Sequence, residues 1–389
     1  MQAKSKRSVI ILGCTGSIGT TALQALAPLQ DQFTIVGLSA HNSIDTLATL
    51  AQQWNCHSVC ISGDDVPVPD SQLFTTATQL FTGTAGLLAM IRETEADIVL
   101  NAIAGASGLA PTLAAIESHK DVALANKESI VMAGCLLFSL ARENGVTIIP
   151  VDSEHSTLYA LLQAHGRSQT ASLVITASGG PFRTFPIERM AEITVEMALA
   201  HPTWQMGAKI SIDSATLANK GLEVIEAAYL FDFPSSAIEV VIHPQSVVHS
   251  LIRLYNGALY AQLSPPDMAL PIMAALGDGH IDLEAVVAPL DFTDLSLTFE
   301  KPDLQKFPLL ASAFTCSNLQ GGYPIAFNAA NEVAVHAFLQ HKLSFLDVAT
   351  VVQETLTHDW SQAYHAYEEI IEIDGRARAF AQHIRKGLS

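Results

Sequence analysis

Residues 8–29, SVIILGCTGSIGTTALQALAPL, decide how this chain is read. Ser8 to Leu12 reads as a strand, and Ser17 to Leu29 as the helix that follows it. Between them lies Gly13-Cys14-Thr15-Gly16-Ser17-Ile18-Gly19, a G-x-x-G-x-x-G variant of the dinucleotide fingerprint. Glycines permit a tight turn and close backbone approach, and the helix start offers unpaired N–H groups to a pyrophosphate. A glycine-rich packing turn is the plainer alternative. Its position, after a first strand and at the opening of a helix, favours the nucleotide.

The pattern continues outward. Phe33 to Ser39 is strand-like and Ile44 to Trp54 helical. Val59 to Ser62, Ile98 to Ala102 and Val122 to Ala125 are short strands, and a long helix starts near Glu128. Such a βαβ series predicts a mostly parallel sheet. An NAD-binding sheet usually ends its second strand on an acid that holds the ribose 2′-hydroxyl. Here Ser39, Ala40, His41 and Asn42 carry no carboxylate, which favours NADP, although no Lys or Arg stands there to meet its extra phosphate. Lys127 lies at the mouth of the same cleft, as an anion contact or as a solvated surface charge.

At 389 residues the chain predicts two or three domains. A hydrophobic fraction of 49% and a charged fraction of 15% describe a globular enzyme. The formal charge of −18 argues against nucleic acid and anionic membranes as partners. Cys14, Cys56, Cys60, Cys135 and Cys316 are odd in number and scattered, which predicts a reduced cytoplasm. Cys56-His57-x-x-Cys60 has no second ligand pair and is set aside as a zinc site. The apolar run Ile130 to Ala141 is too short to span a bilayer.

The expected organisation is α/β: a Rossmann-type NADPH-binding domain over 1–151, a central α+β catalytic domain over 152–277, a linker over 278–308 and a C-terminal α-helical bundle over 309–389. In the central part Leu173 to Ala177, Glu239 to His243 and Leu259 to Leu263 read as strands, and Leu158 to Ala164 and Ser214 to Phe231 as helices. Ala326 to Leu339, Ser344 to Thr357 and Gly375 to Lys386 have helical spacing.

Asp152-Ser153-Glu154-His155 ends the apolar run Val146 to Val151. That run reads as a buried strand, so Asp152 and Glu154, two apart at its C-terminal end, are expected to share one face. Two adjacent carboxylates need a cation or a proton, and hard oxygen donors suit Mg2+ or Mn2+. An exposed turn with two solvated acids is the competing reading.

Further on, Ser178-Gly179-Gly180 could present amides to a phosphate. Trp204 and Met206 sit in a loop as candidates for a lid. In the run Lys209 to Glu223, Asp213 or Ser214 would cap a helix whose Asn219 and Glu223 share a face, with Lys220 three before Glu223. Gly221 in mid-helix costs roughly 1 kcal/mol against Ala, so close approach by a ligand or segment is expected there. His243 and His249 read best as hydrogen-bonded core residues.

Taken together, GCTGSIG (13–19), LANKES (124–129), PVDSEHS (150–156), SGGPF (178–182), HPTWQMG (201–207), KISIDSATLANKGLE (209–223), HPQSVVHS (243–250), PPDM (265–268) and NAANE (328–332) resemble the 1-deoxy-D-xylulose 5-phosphate reductoisomerases. The resemblance implies conversion of a linear ketose phosphate to 2-C-methyl-D-erythritol 4-phosphate in the non-mevalonate isoprenoid pathway. It implies NADPH and Mg2+ or Mn2+, with Co2+ as an alternative, and a homodimer. Asp152, Glu154 and Glu223 match the metal-binding carboxylates. Lys127 and Ser153 match contacts to the oxygenated end of the substrate. Ser178, Ser214, Asn219 and Lys220 match the phosphate group, bordered by His201. Trp204 and Met206 match the flap. Thr15, Gly16, Ser17 and Ile18 match the pyrophosphate loop, and Met268 lies near the nicotinamide. Ala40, His41, Asn42, Asn126, Lys127, Glu128 and Gly207 complete the expected cofactor contacts. His155 receives no role. Two departures stand out: Ala40-His41-Asn42 where the family often has Gly-Lys-Asn, and Ser264-Pro265 where it often has Gly-Thr. A metal-assisted NADP dehydrogenase of a sugar phosphate, without rearrangement, is the alternative activity.

Overall fold

The structure, a computed structural model, describes residues 6–70, 73–204, 206–277 and 286–388. Its elements are β1 (Arg7–Leu12), α1 (Ser17–Leu26), β2 (Phe33–Ala40), α2 (Ile44–Gln53), β3 (Ser58–Ile61), β4 (Gln79–Thr82), α3 (Gly83–Glu93), β5 (Ile98–Asn101), α4 (Leu109–Glu117), β6 (Asp121–Leu124), α5 (Lys127–Asn144), β7 (Ile148–Pro150) and α6 (Ser153–His165). There follow β8 (Thr170–Ala177), α7 (Val195–Leu199), α8 (Ala208–Ala215), α9 (Ala218–Phe231), β9 (Ile238–Ile242), β10 (Val248–Leu254), β11 (Leu259–Leu263) and α10 (Ala269–Leu276). The C-terminal helices are α11 (Pro308–Leu319), α12 (Tyr323–Leu339), α13 (Phe345–Leu356) and α14 (Tyr367–Leu388).

The chain forms two compact units, one of residues 1–126, 137–156 and 267–288, the other of 127–136, 157–266 and 289–389. In the first, strands pair in parallel in the order β4-β3-β2-β1-β5-β6-β7. The strand order reverses between β1 and β5, the point where α/β sheets bind ligands at their carboxyl ends. Val9, Ile11, Leu38, Val59, Leu100 and Ala123 fill its core, the continuous apolar pattern of strands covered on both faces. Helix α10, within the span expected for the central domain, packs in this core through Ala269, Ile272 and Met273.

The second unit holds a mixed sheet, β11-β10-β8-β9, with β8 and β9 parallel and β10 antiparallel to β8 and β11. Its core joins Leu173 and Ile175 of β8, Leu222 and Ile225 of α9, Phe327 and Phe338 of α12 and Val351 of α13, so the C-terminal helices share one core with the sheet. Ser344 and Asp347 form a capping box that starts α13. Within the span expected to be a linker, 278–285 lies outside the described residues. Glu300 bridges to Ile242, and His243 Nδ1 lies 2.9 Å from the Thr298 carbonyl.

Three local expectations fail. First, the strand before Asp152 stops at Pro150, and Ser153 already opens α6, so Glu154 lies in a helical turn and does not share a strand face with Asp152. Ser156 N donates to the Asp152 carbonyl at 2.8 Å, a helical bond that competes with strand pairing. Second, the helix expected over 214–231 is two helices. Thr216 Oγ1 donates back to the Ile212 and Asp213 carbonyls at 3.1 and 3.2 Å, and Leu217 turns left-handed at φ 58°. That back-bonding is how a hydroxyl residue interrupts a helix, and it puts Asp213 and Ser214 at the end of α8, not at a helix start. Third, β9 ends at Ile242, so His243 lies outside the strand expected over Glu239 to His243.

Candidate active site

In the first unit, the glycine loop is built around β1. Gly13 has φ 76°, and a Cβ there would lie 3.0 Å from the Ala102 carbonyl oxygen after β5. At Gly19 a Cβ would fall 2.4 Å from the Gly13 carbonyl oxygen, so α1 starts hard against the loop. Gly13 N and Cys14 N donate to Ser39 at 3.2 and 2.8 Å, tying the loop to the end of β2. Gly16 and Ser17 are exposed and Thr15 and Ile18 half-buried, so the helix start faces outward with its N–H groups free of any acidic side chain in the first turn. Side chains at Gly13 or Gly19 would run into this backbone, so the tight loop that exposes the helix start depends on the glycines.

The rim of this sheet is equally ordered. Asn126 Nδ2 donates to the Ile103 and Gly105 carbonyls at 2.7 and 2.9 Å, and Asn101 Nδ2 to Gly108 and Thr112 at 2.8 Å, bracing the loop after β5. Ala40 is buried while His41 and Asn42 are exposed; the Ala40 and His41 carbonyls accept from Ser62 N and Gly63 N at 2.9 Å. Met268 leads into α10 and packs on the same core. Burial holds the Cys14 thiol up at about 12 and Cys56 at about 11, so neither is a ready thiolate.

At the last strand of this sheet, Asp152 and His155 approach to 3.6 Å. Ser153 Oγ donates to Glu154 Oε2 at 2.7 Å, and Glu154 N to Asp152 Oδ1 at 3.4 Å. Asp152 therefore stands just before α6 and Glu154 in its first turn, where the dipole stabilises negative charge.

The second unit assembles the remaining residues. Glu223, 1% exposed, accepts from Lys127 Nζ at 3.1 Å, from Asn219 Nδ2 at 2.6 Å, and from Lys220 Nζ. Lys127 Nζ also donates to Asn219 Oδ1 at 2.9 Å. Two buried ammonium groups thus share one carboxylate, which offsets part of the cost of burying them. A Cβ on Gly221 would come within 2.6 Å of the Ala313 Cβ, so the close approach predicted there is by α11, not by a ligand.

Ser178 follows β8. His201 Nδ1 accepts from Thr203 N and Trp204 N at 3.2 and 2.9 Å, which puts its proton on Nε2, 3.0 Å from Ser178 Oγ. Gly180 N donates to the same oxygen at 3.2 Å, so Ser178 Oγ accepts both bonds and its own proton is used in neither. Burial lowers the His201 pKa. Gly180, at φ 66°, packs against the Ser214 carbonyl, 2.7 Å from where its Cβ would be. Gly180, two residues after Ser178, thus brings the turn that follows β8 against the backbone of Ser214. Trp204 lies 6.4 Å from the His249 ring, Met206 is half-buried, and Gly207 precedes α8. His249 and His243 are hydrogen-bonded core residues, on the Ser264 and Thr298 carbonyls, and burial lowers the His249 pKa.

The features above define an α/β protein with a dinucleotide-type glycine loop on one unit and, on the other, a buried cluster of two lysines, an asparagine and a glutamate. Three profiles match: 1-deoxy-D-xylulose 5-phosphate reductoisomerase over residues 9–134, the C-terminal domain of that enzyme over 148–231, and a DXP reductoisomerase C-terminal domain over 263–380. The reductoisomerase of Treponema pallidum is 47% identical over 379 residues, 97% of each chain. That of Treponema denticola is 43% identical over 377 residues, 97% of this chain and 96% of the relative. The Zymomonas mobilis reductoisomerase in complex with NADPH superposes with a TM-score of 0.91 at 39% identity, covering 99% of this chain and 100% of that one. A DOX-P reductoisomerase in complex with NADPH, fosmidomycin and magnesium gives 0.89 at 39% identity, covering 98% of each. The chain belongs to the 1-deoxy-D-xylulose 5-phosphate reductoisomerase family.

Proposed function

We propose that the protein converts 1-deoxy-D-xylulose 5-phosphate and NADPH to 2-C-methyl-D-erythritol 4-phosphate and NADP+, using a divalent cation. The observation that carries this reading is the cluster of Lys127, Asn219, Lys220 and Glu223, buried yet polar, in a chain that also has the glycine cradle.

The residues fit the groups required. The loop from Gly13 to Gly19 can turn this tightly only because Gly13 and Gly19 lack side chains, and Thr15, Gly16, Ser17 and Ile18 would border the pyrophosphate at the exposed helix start. Ala40, His41 and Asn42 would lie along the adenosine end. Asn126, Glu128, Gly207 and Met268 would lie along the remainder of the cofactor. Asp152, Glu154 and Glu223 are hard oxygen donors, and we assign them the metal. When bound, the cation supplies Lewis-acid polarisation of neighbouring substrate oxygens, and NADPH supplies the hydride.

The chain's own residues do the rest. Ser178, Ser214, Asn219 and Lys220 hold the phosphate, with His201 fixing the Ser178 hydroxyl as a donor. Binding energy from that remote group is available to close the flap carrying Trp204 and Met206. The closed flap excludes water from the reacting carbons. Lys127 and Ser153 orient the oxygenated end, Lys127 by exchanging its bond to Glu223 for one to the substrate.

Two finer readings accompany this one. A homodimer would use β11, the edge of the mixed sheet, where Leu259, Tyr260 and Leu263 are exposed alongside Tyr255. A reduced compartment suits five free cysteines, four of them buried. Among the described residues no helix is long and apolar enough to cross a membrane.

The test is Mg2+-dependent NADPH oxidation with 1-deoxy-D-xylulose 5-phosphate, followed by product analysis. A branched erythritol phosphate is expected. A linear alcohol would establish the simple dehydrogenase, and absence of turnover would refute both.

A further inference from the structure

Beside the Lys127–Glu223 cluster lies a second ionic cluster, in which only Glu128 has been given a role, along the cofactor. Lys209 Nζ, on α8, donates to Glu128 Oε1 at 2.6 Å and to Asp213 Oδ2 at 2.8 Å. Glu128 and Asp213 side chains are 9% and 2% exposed, and Lys209 is 23% exposed, so these pairs are shielded from water and screened little by salt. Asp213 Oδ1 accepts from Asn331 Nδ2 of α12 at 2.7 Å. Next to Asn331, Glu332 pairs with Arg378 of α14 at 2.6 Å. The conspicuous run Asn328 to Glu332 thus reaches α8 through one buried amide.

Sequence neighbours give this cluster its meaning. Glu128 follows Lys127 in the first turn of α5, and Asp213 precedes Ser214 in the last turn of α8. The Lys127–Asn219–Glu223 bonds also tie α5 to α9, but those donors and that carboxylate are the groups that must change partners when substrate and cation bind. Lys209, Asp213 and Asn331 contact neither ligand in that assignment, and Glu128, placed along the cofactor, has no need to give up its bond to Lys209. We propose that Lys209 is a positioning residue, a clamp that keeps the Lys127 turn of α5 and the Ser214 turn of α8 at their binding distance while the Glu223 cluster rearranges, with Asn331 steadying Asp213 from α12. The proposal rests on the assignment of Lys127 and Ser214 to the substrate. Burial opposes the Lys209 charge, yet Asp213 and Glu128 more than offset it and raise its pKa, so the clamp stays charged at neutral pH.

The experiment compares wild type, K209M, K209R and N331A in NADPH oxidation with 1-deoxy-D-xylulose 5-phosphate, alongside NADPH binding by fluorescence without substrate. K209M is expected to raise KM for the sugar phosphate about tenfold or more, the scale set by slight misplacement of contact groups, and to leave NADPH affinity within about twofold. K209R, which keeps the charge, should return KM to within about threefold of wild type. Wild-type KM in folded K209M, or a K209R KM as high as that of K209M, overturns the clamp. Should K209M fail to fold, N331A decides: a KM rise of about threefold supports the clamp, and an unchanged KM overturns it. Failure of the wild type to form the branched product would instead refute the assigned reaction.

Discussion

Replacing Gly180 by Ala tests whether two distant serines form one phosphate site. Gly180 has φ 66°, where an L side chain costs about 1–2 kcal/mol. The new Cβ would stand 2.7 Å from the Ser214 carbonyl oxygen and 3.2 Å from its carbon, whereas ordinary contact begins at 3.4 Å. Backbone, not a flexible side-chain tip, must therefore yield, adding roughly 1–3 kcal/mol of overpacking. The sum, about 2–5 kcal/mol, lowers Tm by roughly 5–15 °C for a unit of this size. The displacement also pushes the Ser178 loop and the end of α8 apart, so KM for the sugar phosphate should rise about 10- to 100-fold. NADPH affinity should hold, because the Gly13–Gly19 cradle belongs to the other unit. Gly166→Ala is the control: φ is 84° there, but nothing lies within 4 Å of the added Cβ. It should lose a few degrees of Tm, by roughly 1–2 kcal/mol of backbone strain, at unchanged KM. Steady-state kinetics and differential scanning calorimetry on both variants suffice. A Gly180→Ala enzyme that loses stability as calculated but keeps wild-type KM would refute the joint site.

Glu223→Gln should lower turnover by roughly a hundredfold or more, since groups that merely support metal ligands are already worth 10–100-fold. NADPH binding, followed by fluorescence, should persist; undiminished turnover would remove Glu223 from the metal. His41→Lys adds a firm cation at an exposed position and should shift preference toward NADPH over NADH by about two- to fivefold, read as the ratio of kcat/KM values. No shift would mean that residue 41 does not meet the 2′-phosphate. The pH dependence of substrate binding should report His201. Its folded-state pKa is depressed by burial, so on acidification the unfolded chain takes up the proton first. Its stability contribution is present above the ordinary imidazole value near 6.5 and fades as pH falls below it. Once protonated, Nδ1 can no longer accept from Thr203 and Trp204, so KM should climb on the acid side, and His201→Gln should flatten that limb.

Much of the first unit was legible because its signals are local. A strand, a glycine loop and a helix follow one another within Arg7–Leu26, and the turn chemistry acts over a few residues. Strand β4 and helices α3 and α4 escaped notice for physical reasons. Strand β4 is four residues long and half exposed, and α4 is apolar nearly all round, so neither shows a period. The tetrad Asp152 to His155 misled in the same way. An apolar run does not say where a strand yields to a helix, and the helical bond from Ser156 to Asp152 decides that here.

Sequence alone determined the residue types and the spacings of three and four that let Lys220 and Asn219 reach Glu223 along one helix, because helical neighbours are set by 3.6 residues per turn. It could not determine what else reaches that carboxylate. Lys127 arrives from 96 positions away, the bare backbone of Gly180 lets the turn after β8 pack on Ser214, and Asn331 finds Asp213 across 118 positions. Those contacts depend on which helices share the core of the second unit. That packing is a property of the whole apolar surface, which no local run of residues encodes.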